Sequence, residues 1–140
     1  MSWRYVAPPL IAWTVAQVLK LITLSVRERR VDFRALATMG GMPSSHSAMV
    51  CALTATVGRI NGTGSAAFAV ALIFSLVVMY DAAGVRRAAG RQAMVLNRLV
   101  EDLFAQRGTA EERLRELLGH TPIEVLAGAV LGIVVGVAGP

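Results

Sequence analysis

Both histidines of this chain lie in short polar motifs that open apolar segments. The first motif, GGMPSSHS, occupies residues 40–47. Pro43 suits the first turn of a helix, because its missing N–H would be unbonded there in any case. The N–H groups of Ser44, Ser45 and His46 would then point out of the helix end, where the dipole favours an anion. These groups would form a phosphate cradle; the alternative is a loop that ends in a helix cap with an incidental histidine.

The second motif, GHTPIE, occupies residues 119–124 and contains the other histidine. A carboxylate four residues after His120 could pair with the imidazole, fix its tautomer and make it a better nucleophile. A second interpretation is open, because Thr121 and Glu124 also have the spacing of a helix capping box. Glu124 would then serve the helix end and not the histidine.

Two pairs of cations could complete a phosphate site. Lys20 and Arg27 are seven residues apart, which is about 700° on a helix, so they share one face. A lysine about two turns inside an apolar helix is costly and usually functional, although snorkelling to the interface is an alternative. Arg86 and Arg87 follow the apolar segment that ends near Asp81. Arginine binds phosphate through its planar fork, but at least one of the two would also serve as a membrane anchor.

The elements that must position these residues are apolar helices. The 140 residues are 55% hydrophobic, above the roughly 45–50% of soluble domains, with a mean hydropathy of +0.58. This composition predicts a single all-α membrane domain over residues 1–140, a helical bundle with about four transmembrane helices. The four apolar segments are residues 6–26, 43–57, 65–85 and 122–137, and the connections after the first two cover residues 27–41 and 58–64.

A polar stretch between the third and fourth segments has helical periodicity. Leucines recur on one face of residues 91–118, with Arg and Glu between them. This predicts one or two amphipathic helices, broken at Gly108-Thr109, within a cytoplasmic insert at about residues 88–119. The insert would act as a lid, or as a surface helix that contacts anionic lipid.

The distribution of positive charge predicts the orientation. The chain carries a net charge of +5, and eleven of its fourteen basic residues lie in the connections after the first and third segments. With four crossings these connections share one side, which is cytoplasmic by the positive-inside rule. Lys20, Ser44, Arg86 and His120 then all reach that side, which suits phosphoryl transfer, where positioning and charge stabilisation supply most of the catalysis. Because the charges flank apolar segments, we expect no nucleic-acid partner.

Glycines recur at every fourth position of the last segment, at Gly128, Gly132 and Gly136. Such small residues allow two helices to approach closely. The approach could be within the bundle or across a homodimer. Cys51 is the single cysteine, so the chain has no internal disulfide and no cysteine-based metal site.

Taken together, the motifs resemble the signature of the type 2 phosphatidic acid phosphatase and vanadium haloperoxidase superfamily. The elements of this resemblance are a Lys-x6-Arg pair, a Pro-Ser-x-His motif, an arginine, and a histidine with a carboxylate four residues on. The segments GGMPSSHSA, DAAGVRRAAG and LLGHTPIEVLAGAVLG are similar to sequences of the short, divergent bacterial and plastid branch. Three departures stand out: Ser45 replaces the usual glycine, Glu124 replaces the usual aspartate, and Arg87 lies 33 residues before His120.

The resemblance implies a role for each of these residues. His120 would attack phosphorus and form a phosphohistidine, with Glu124 orienting it, and His46 would donate a proton to the leaving oxygen. The phosphate would be bound by Lys20, Arg27, Ser45 and one of Arg86 and Arg87, and Ser44 joins this set through the phosphate cradle described above. No metal or other cofactor is implied.

The predicted function is therefore a membrane-embedded lipid phosphate phosphatase of the bacterial inner membrane, with its active site facing the cytoplasm. Its partners would be a phosphorylated lipid substrate and membrane lipids. The substrates expected at that face are phosphatidylglycerophosphate, phosphatidate or an isoprenoid diphosphate. The alternatives are a membrane protein that binds lipid phosphate without turnover, and a scaffold or small transporter whose basic patches bind anionic headgroups.

Overall fold

The computed structural model describes residues 3–28, 42–104 and 120–139. The side chains at 27–28, 85–89 and 100–104 are outside the described set. Five helices make up most of this part of the chain. They are α1 (Trp3–Glu28), α2 (Ser45–Asn61), α3 (Ala66–Ala83), α4 (Val85–Phe104) and α5 (Pro122–Ala138). The predicted all-α class is confirmed.

Helix α2 is the centre of the bundle, with α1, α3 and α5 packed around it. Nine of its seventeen residues are buried, which explains how so short and polar a segment can lie inside a membrane protein. Hydrogen bonds at the bundle ends show that α1 runs antiparallel to α2. The Tyr5 hydroxyl donates to Asn61 at 2.9 Å, and the Thr23 hydroxyl donates to the Met42 carbonyl at 3.1 Å.

Helix α3 also runs antiparallel to α2 and is joined to it by buried hydroxyl groups. The Thr54 and Ser75 hydroxyl oxygens are 2.7 Å apart. The Ala71 carbonyl oxygen lies 3.0 Å from the Thr54 hydroxyl and the Val50 carbonyl oxygen 2.9 Å from the Ser75 hydroxyl, both within hydrogen-bond distance. Because these polar groups satisfy each other, the two helices can pack in an apolar surrounding without leaving a donor unbonded.

The core is built from small side chains and the outside from large ones. Ala12, Ala16, Ala48 and Ala52 are completely buried where α1, α2 and α5 meet. Large apolar residues such as Phe74 are instead more than half exposed. This inverts the arrangement of a soluble protein and is typical of helices that pack by close contact and present apolar side chains to lipid.

The glycines of α5 pack against α2 within the chain. A Cβ added at Gly128 would collide with the Ser44 carbonyl oxygen, and one at Gly132 with that of Ala48. At Gly136 the added atom would lie 2.5 Å from the Ala52 carbonyl oxygen. Residue numbers in α2 and in α5 increase in the same direction along this contact, so the two helices are parallel. Of the two uses predicted for the glycine repeat, the structure shows the contact within the bundle.

Within the described ranges, two helices are long and apolar enough to span a membrane by themselves, over residues 3–26 of α1 and 66–83 of α3. Helix α5 is a shorter apolar helix, and α2 at ~1.5 Å per residue has ~26 Å of length. The crossing of all four helices therefore stays a prediction.

The predicted boundaries of α2 were wrong at both ends. The helix begins at Ser45 and continues to Asn61, so the connection to α3 shrinks to residues 62–65. Gly58 lies inside the helix because the Phe68 ring packs on it, with ring carbons 2.9 Å from an added Cβ. The helix ends instead at Gly62, whose φ of 82° favours glycine.

Helix α4 begins earlier than the predicted amphipathic stretch and packs against α3. It starts at Val85, directly after α3 ends at Gly84, whose N–H donates to the Tyr80 carbonyl at 2.9 Å. Val95, Leu96 and Leu99 are about half exposed on α4. The predicted break at Gly108-Thr109 lies outside the described residues.

We expect Gly132→Ala to destabilise the fold, because the new methyl group meets the α2 backbone, which cannot move aside as a side chain could. Overpacking of this kind typically costs about 1–3 kcal/mol. Gly64→Ala is the matched control, since a Cβ there meets nothing within 4 Å. Thermal unfolding of both variants in detergent checks the prediction. Equal stability of the two variants would contradict the packing described here.

The orientation predicted from the positive-inside rule can be tested with introduced cysteines. In a Cys51→Ala background, Gly64→Cys lies in the α2–α3 connection and should react with an impermeant thiol reagent added to intact cells. Gly108→Cys, in the connection predicted to be cytoplasmic, should react only after permeabilisation. The opposite pattern would place the candidate site on the outer face.

Candidate active site

The two motif loops meet through a backbone hydrogen bond. The Ser44 N–H donates to the Glu124 carbonyl at 3.0 Å. Because α2 and α5 are parallel, this bond places their N-termini side by side at one end of the bundle. The positive ends of two helix dipoles therefore lie together.

Lys20 belongs to the buried stripe of α1. Pro8, Ala12 and Ala16 precede it at four-residue intervals, and all are buried. The Lys20 side chain is 4% exposed, and its charge lies within electrostatic range of the Glu124 carboxylate. The stripe thus directs the lysine towards the start of α5.

Thr23 connects the part of α1 near Lys20 to the first motif by a hydrogen bond. Its hydroxyl donates to the Met42 carbonyl at 3.1 Å and lies 3.0 Å from the Lys20 carbonyl. We did not predict this residue from the sequence. Its position three residues after Lys20, on nearly the same helical face, is the signal that could have identified it.

Ser44 caps α2, so the start of this helix differs from the prediction. Its backbone is extended, and its hydroxyl oxygen accepts the Ser47 N–H at 3.4 Å and the Ser47 hydroxyl at 3.1 Å. Pro43 therefore precedes the cap and is not in the first turn. Because the Ser44 N–H is bonded to Glu124, the expected anion site narrows to the first-turn N–H groups of Ser45 and His46.

The two serines of the first motif are both buried. Ser44 is completely buried and Ser45 is 7% exposed. The Ser44 hydroxyl is engaged in the cap, so Ser45 is the better placed of the two to offer a hydroxyl to a ligand. The predicted phosphate-binding role of each serine stays a prediction.

The two histidines lie at the same end of the bundle but in different surroundings. His120 is 4% exposed and directly precedes Thr121, the N-cap of α5. His46 is exposed on α2, at the end of an apolar groove between α1 and α3. A buried imidazole and an exposed one suit the two different roles predicted for them, which stay predictions.

Glu124 forms the capping box that was one of its two predicted uses. Its Oε2 accepts the Thr121 N–H at 3.1 Å, and the Thr121 hydroxyl accepts the Glu124 N–H at 3.4 Å. Within the described part of the chain, these are the hydrogen bonds that engage its carboxylate and its N–H. The pairing of Glu124 with His120 stays a prediction.

A family comparison bears on this arrangement. A family model described as "Divergent PAP2 family" matches residues 2–135. The chain belongs to this family. It is also similar to the "Uncharacterized membrane protein YuiD" of Bacillus subtilis (strain 168), with 43% identity over 129 residues, 84% of this chain and 82% of the relative. No solved structure matches the chain.

Membership of the Divergent PAP2 family confirms the resemblance found in the motifs. The similarity to a membrane protein and the apolar helices of the bundle both indicate that this is a membrane protein. The family relationship leaves the roles of individual residues untested, so these stay predictions.

The three predicted arginines can be placed by their backbones. Arg27 lies in the last turn of α1, on the same helix as Lys20, as the spacing predicted. Arg86 and Arg87 lie in the first turn of α4, after α3 has returned to the end of the bundle that carries the motifs. Their side chains are outside the described set, so the structure does not choose between Arg86 and Arg87.

We expect Glu124→Ala to destabilise α5 and Glu124→Gln to do so much less. Glutamine can keep the capping box, because its amide oxygen can accept the Thr121 N–H, whereas alanine removes that acceptor. Loss of a capping interaction typically costs about 1 kcal/mol. Chemical or thermal unfolding in detergent measures the difference. Equal stability of the two variants would contradict a capping role for this carboxylate.

Proposed function

We propose that this protein is a membrane-embedded phosphatase that hydrolyses a lipid phosphate monoester or diphosphate through a phosphohistidine. One observation carries the proposal: Lys20 is 4% exposed and lies within electrostatic range of Glu124, in the first turn of α5, whose N-terminus is paired with that of α2. A buried cation in a membrane protein is costly and generally serves a function.

The charge balance of the site favours an anion. Each helix N-terminus is equivalent to roughly +0.5 of an elementary charge. With the lysine and one carboxylate, the described groups leave an excess of about one positive charge. A phosphate dianion would relieve the repulsion between these positive groups. In the proposal, Arg27 and one of Arg86 or Arg87 supply further charge-assisted hydrogen bonds.

The first chemical step is an attack of the His120 imidazole nitrogen on phosphorus. A nitrogen–phosphorus bond forms as the bond from phosphorus to the lipid oxygen breaks. His46 protonates this oxygen, so that the lipid leaves as an alcohol, or as a monophosphate when the substrate is a diphosphate. Glu124 would hold the His120 ring in the attacking orientation through the carboxylate oxygen that does not accept the Thr121 N–H.

The second step is hydrolysis of the phosphohistidine. A water molecule gives a proton to His46 and attacks phosphorus, the nitrogen–phosphorus bond breaks, and inorganic phosphate leaves. His120 and His46 return to their starting states. The cycle needs proton transfer and charge stabilisation from side chains alone, and we propose no metal or cofactor.

The predicted cytoplasmic position of the site favours lipids made inside the cell. We propose phosphatidylglycerophosphate, phosphatidate or an isoprenoid diphosphate as substrates. Helix α4 supports a membrane-surface role near the site, because it exposes Val95, Leu96 and Leu99 together with Arg91 and Arg98. Exposed leucines beside arginines suit contact with anionic headgroups.

The second candidate function is binding of a lipid phosphate without turnover. The capping box favours it, because one oxygen of Glu124 is already used by the Thr121 N–H. If the carboxylate serves only the cap and Lys20, it does not activate His120. The same positive site would then recognise a headgroup and leave it intact.

Phosphate release by the purified protein in detergent tests the proposal. The panel holds phosphatidylglycerophosphate, phosphatidate, and isoprenoid mono- and diphosphates, with a chelator present. We expect release by the wild type and none above background by His120→Ala, which should still bind the lipid. His46→Ala should retain slow release, since loss of a general acid typically costs 10²- to 10⁴-fold.

Glu124→Gln separates the two candidate functions. It can keep the cap but loses the negative charge that would stabilise a charged imidazole and that acts on Lys20, so the phosphatase should lose much of its turnover while staying more stable than Glu124→Ala. No hydrolysis of any lipid by the wild type, with binding that depends on Lys20, would instead establish the binding protein. Hydrolysis that persists in His120→Ala would contradict the phosphohistidine.

A further inference from the structure

An apolar groove extends from the candidate site along the bundle. It lies between α1 and α3 on the surface of α2, and its volume is about 390 Å³, within the range of ~300–1,000 Å³ that is usual for ligand pockets. At one end is His46, the predicted proton donor to the leaving oxygen. The groove is lined by His46, Met49, Val50 and Leu53 of α2, residues that share one helical face.

We infer that this groove holds one hydrocarbon chain of the lipid whose phosphate occupies the site. The inference rests on the proposed phosphate site, and it specifies where the hydrocarbon part of the substrate lies. Apart from His46 and Tyr5 at its two ends, its lining is apolar, so it suits an acyl or prenyl chain and offers little to a sugar or a nucleotide.

The dimensions of the groove fit a chain from one leaflet. Its α2 lining runs from His46 to Leu53, which is ~10 Å of helix at ~1.5 Å per residue. On α1 the lining continues from Leu10 to Tyr5, whose hydroxyl donates to Asn61 at 2.9 Å. From His46 to the level of Asn61 the groove therefore spans at most ~22 Å of helix, less than the ~30 Å hydrocarbon core, and the Tyr5–Asn61 contact marks its far end.

A second groove distinguishes this inference from general contact with lipid. It lies between α2, α3 and α5, has a volume of about 570 Å³, and is lined by none of the predicted site residues. Bulk lipid would enter both grooves equally. A substrate chain attached to a phosphate in the candidate site would instead prefer the groove that begins at His46.

Leu10→Trp and Leu72→Trp form a matched pair for a kinetic test. The two leucines are 41% and 39% exposed and line the first and the second groove respectively. With dihexanoyl and dipalmitoyl phosphatidate as substrates, Leu10→Trp should lower the ratio of long-chain to short-chain kcat/KM at least tenfold. Leu72→Trp should leave this ratio as in the wild type. Equal ratios in the two variants would overturn the inference.

A photoreactive phosphatidate with a diazirine at the end of its chain gives a readout that does not need turnover. We expect cross-links concentrated on the first groove, at Leu10 and Leu53, and fewer in Lys20→Met. The matching diacylglycerol, which lacks the phosphate, should label both grooves alike. Scattered labelling by both probes would overturn the inference. A dimer in which a helix of the second copy fills the groove and prevents labelling would overturn it as well.

The two experiments separate failure of the inference from failure of the proposed function. Localised cross-links without hydrolysis would support the hydrocarbon-chain groove and contradict the proposed phosphatase activity. Hydrolysis with scattered cross-links, and with equal long-chain to short-chain kcat/KM ratios in the two tryptophan variants, would support the phosphatase and contradict the groove.

Discussion

The contact between α2 and the glycine face of α5 is the constraint on which the rest of the site depends. At Gly128, Gly132 and Gly136 the absence of a Cβ lets α5 lie against the carbonyl groups of Ser44, Ala48 and Ala52, which are about one turn apart along α2 and its N-cap. In lipid, helix association depends on such close contact because apolar surfaces gain little by leaving an apolar solvent. The contact also fixes the register of the two helices. With this register the Glu124 carbonyl lies opposite the Ser44 N–H, and both helix ends lie at one level.

The register explains why the buried lysine is tolerated. Lys20 reaches the level of the two helix starts because the stripe of small residues on α1 packs where α2 and α5 meet. Its charge is within electrostatic range of the Glu124 carboxylate and of two positive dipole ends. Stabilising a lysine alone would not require helix N-termini beside it. The same arrangement is well suited to an anion with more than one charge, which is the basis of the proposed phosphate site.

Much of this architecture could be predicted from the sequence. Ser65 and Thr121 mark the starts of α3 and α5 because each hydroxyl accepts an N–H three residues later, a local interaction that a sequence pattern records well. The limits of α2 could not be predicted, since they depend on contacts with other helices. Ser44 becomes the cap because α5 fixes its backbone. Gly58 stays helical because Phe68 covers it, so a glycine that usually favours a break does not produce one here.

The central claim is that His120, at the start of α5, carries the phosphoryl group during turnover. Rapid quenching of the protein with a lipid radiolabelled in its phosphate, followed by peptide mapping, tests it most directly. We predict a label that is stable in base, labile in acid and located on His120. This label should persist longer when His46, the base for the second step, is replaced. Phosphate release without any labelled peptide, or with the label on another residue, would contradict the account.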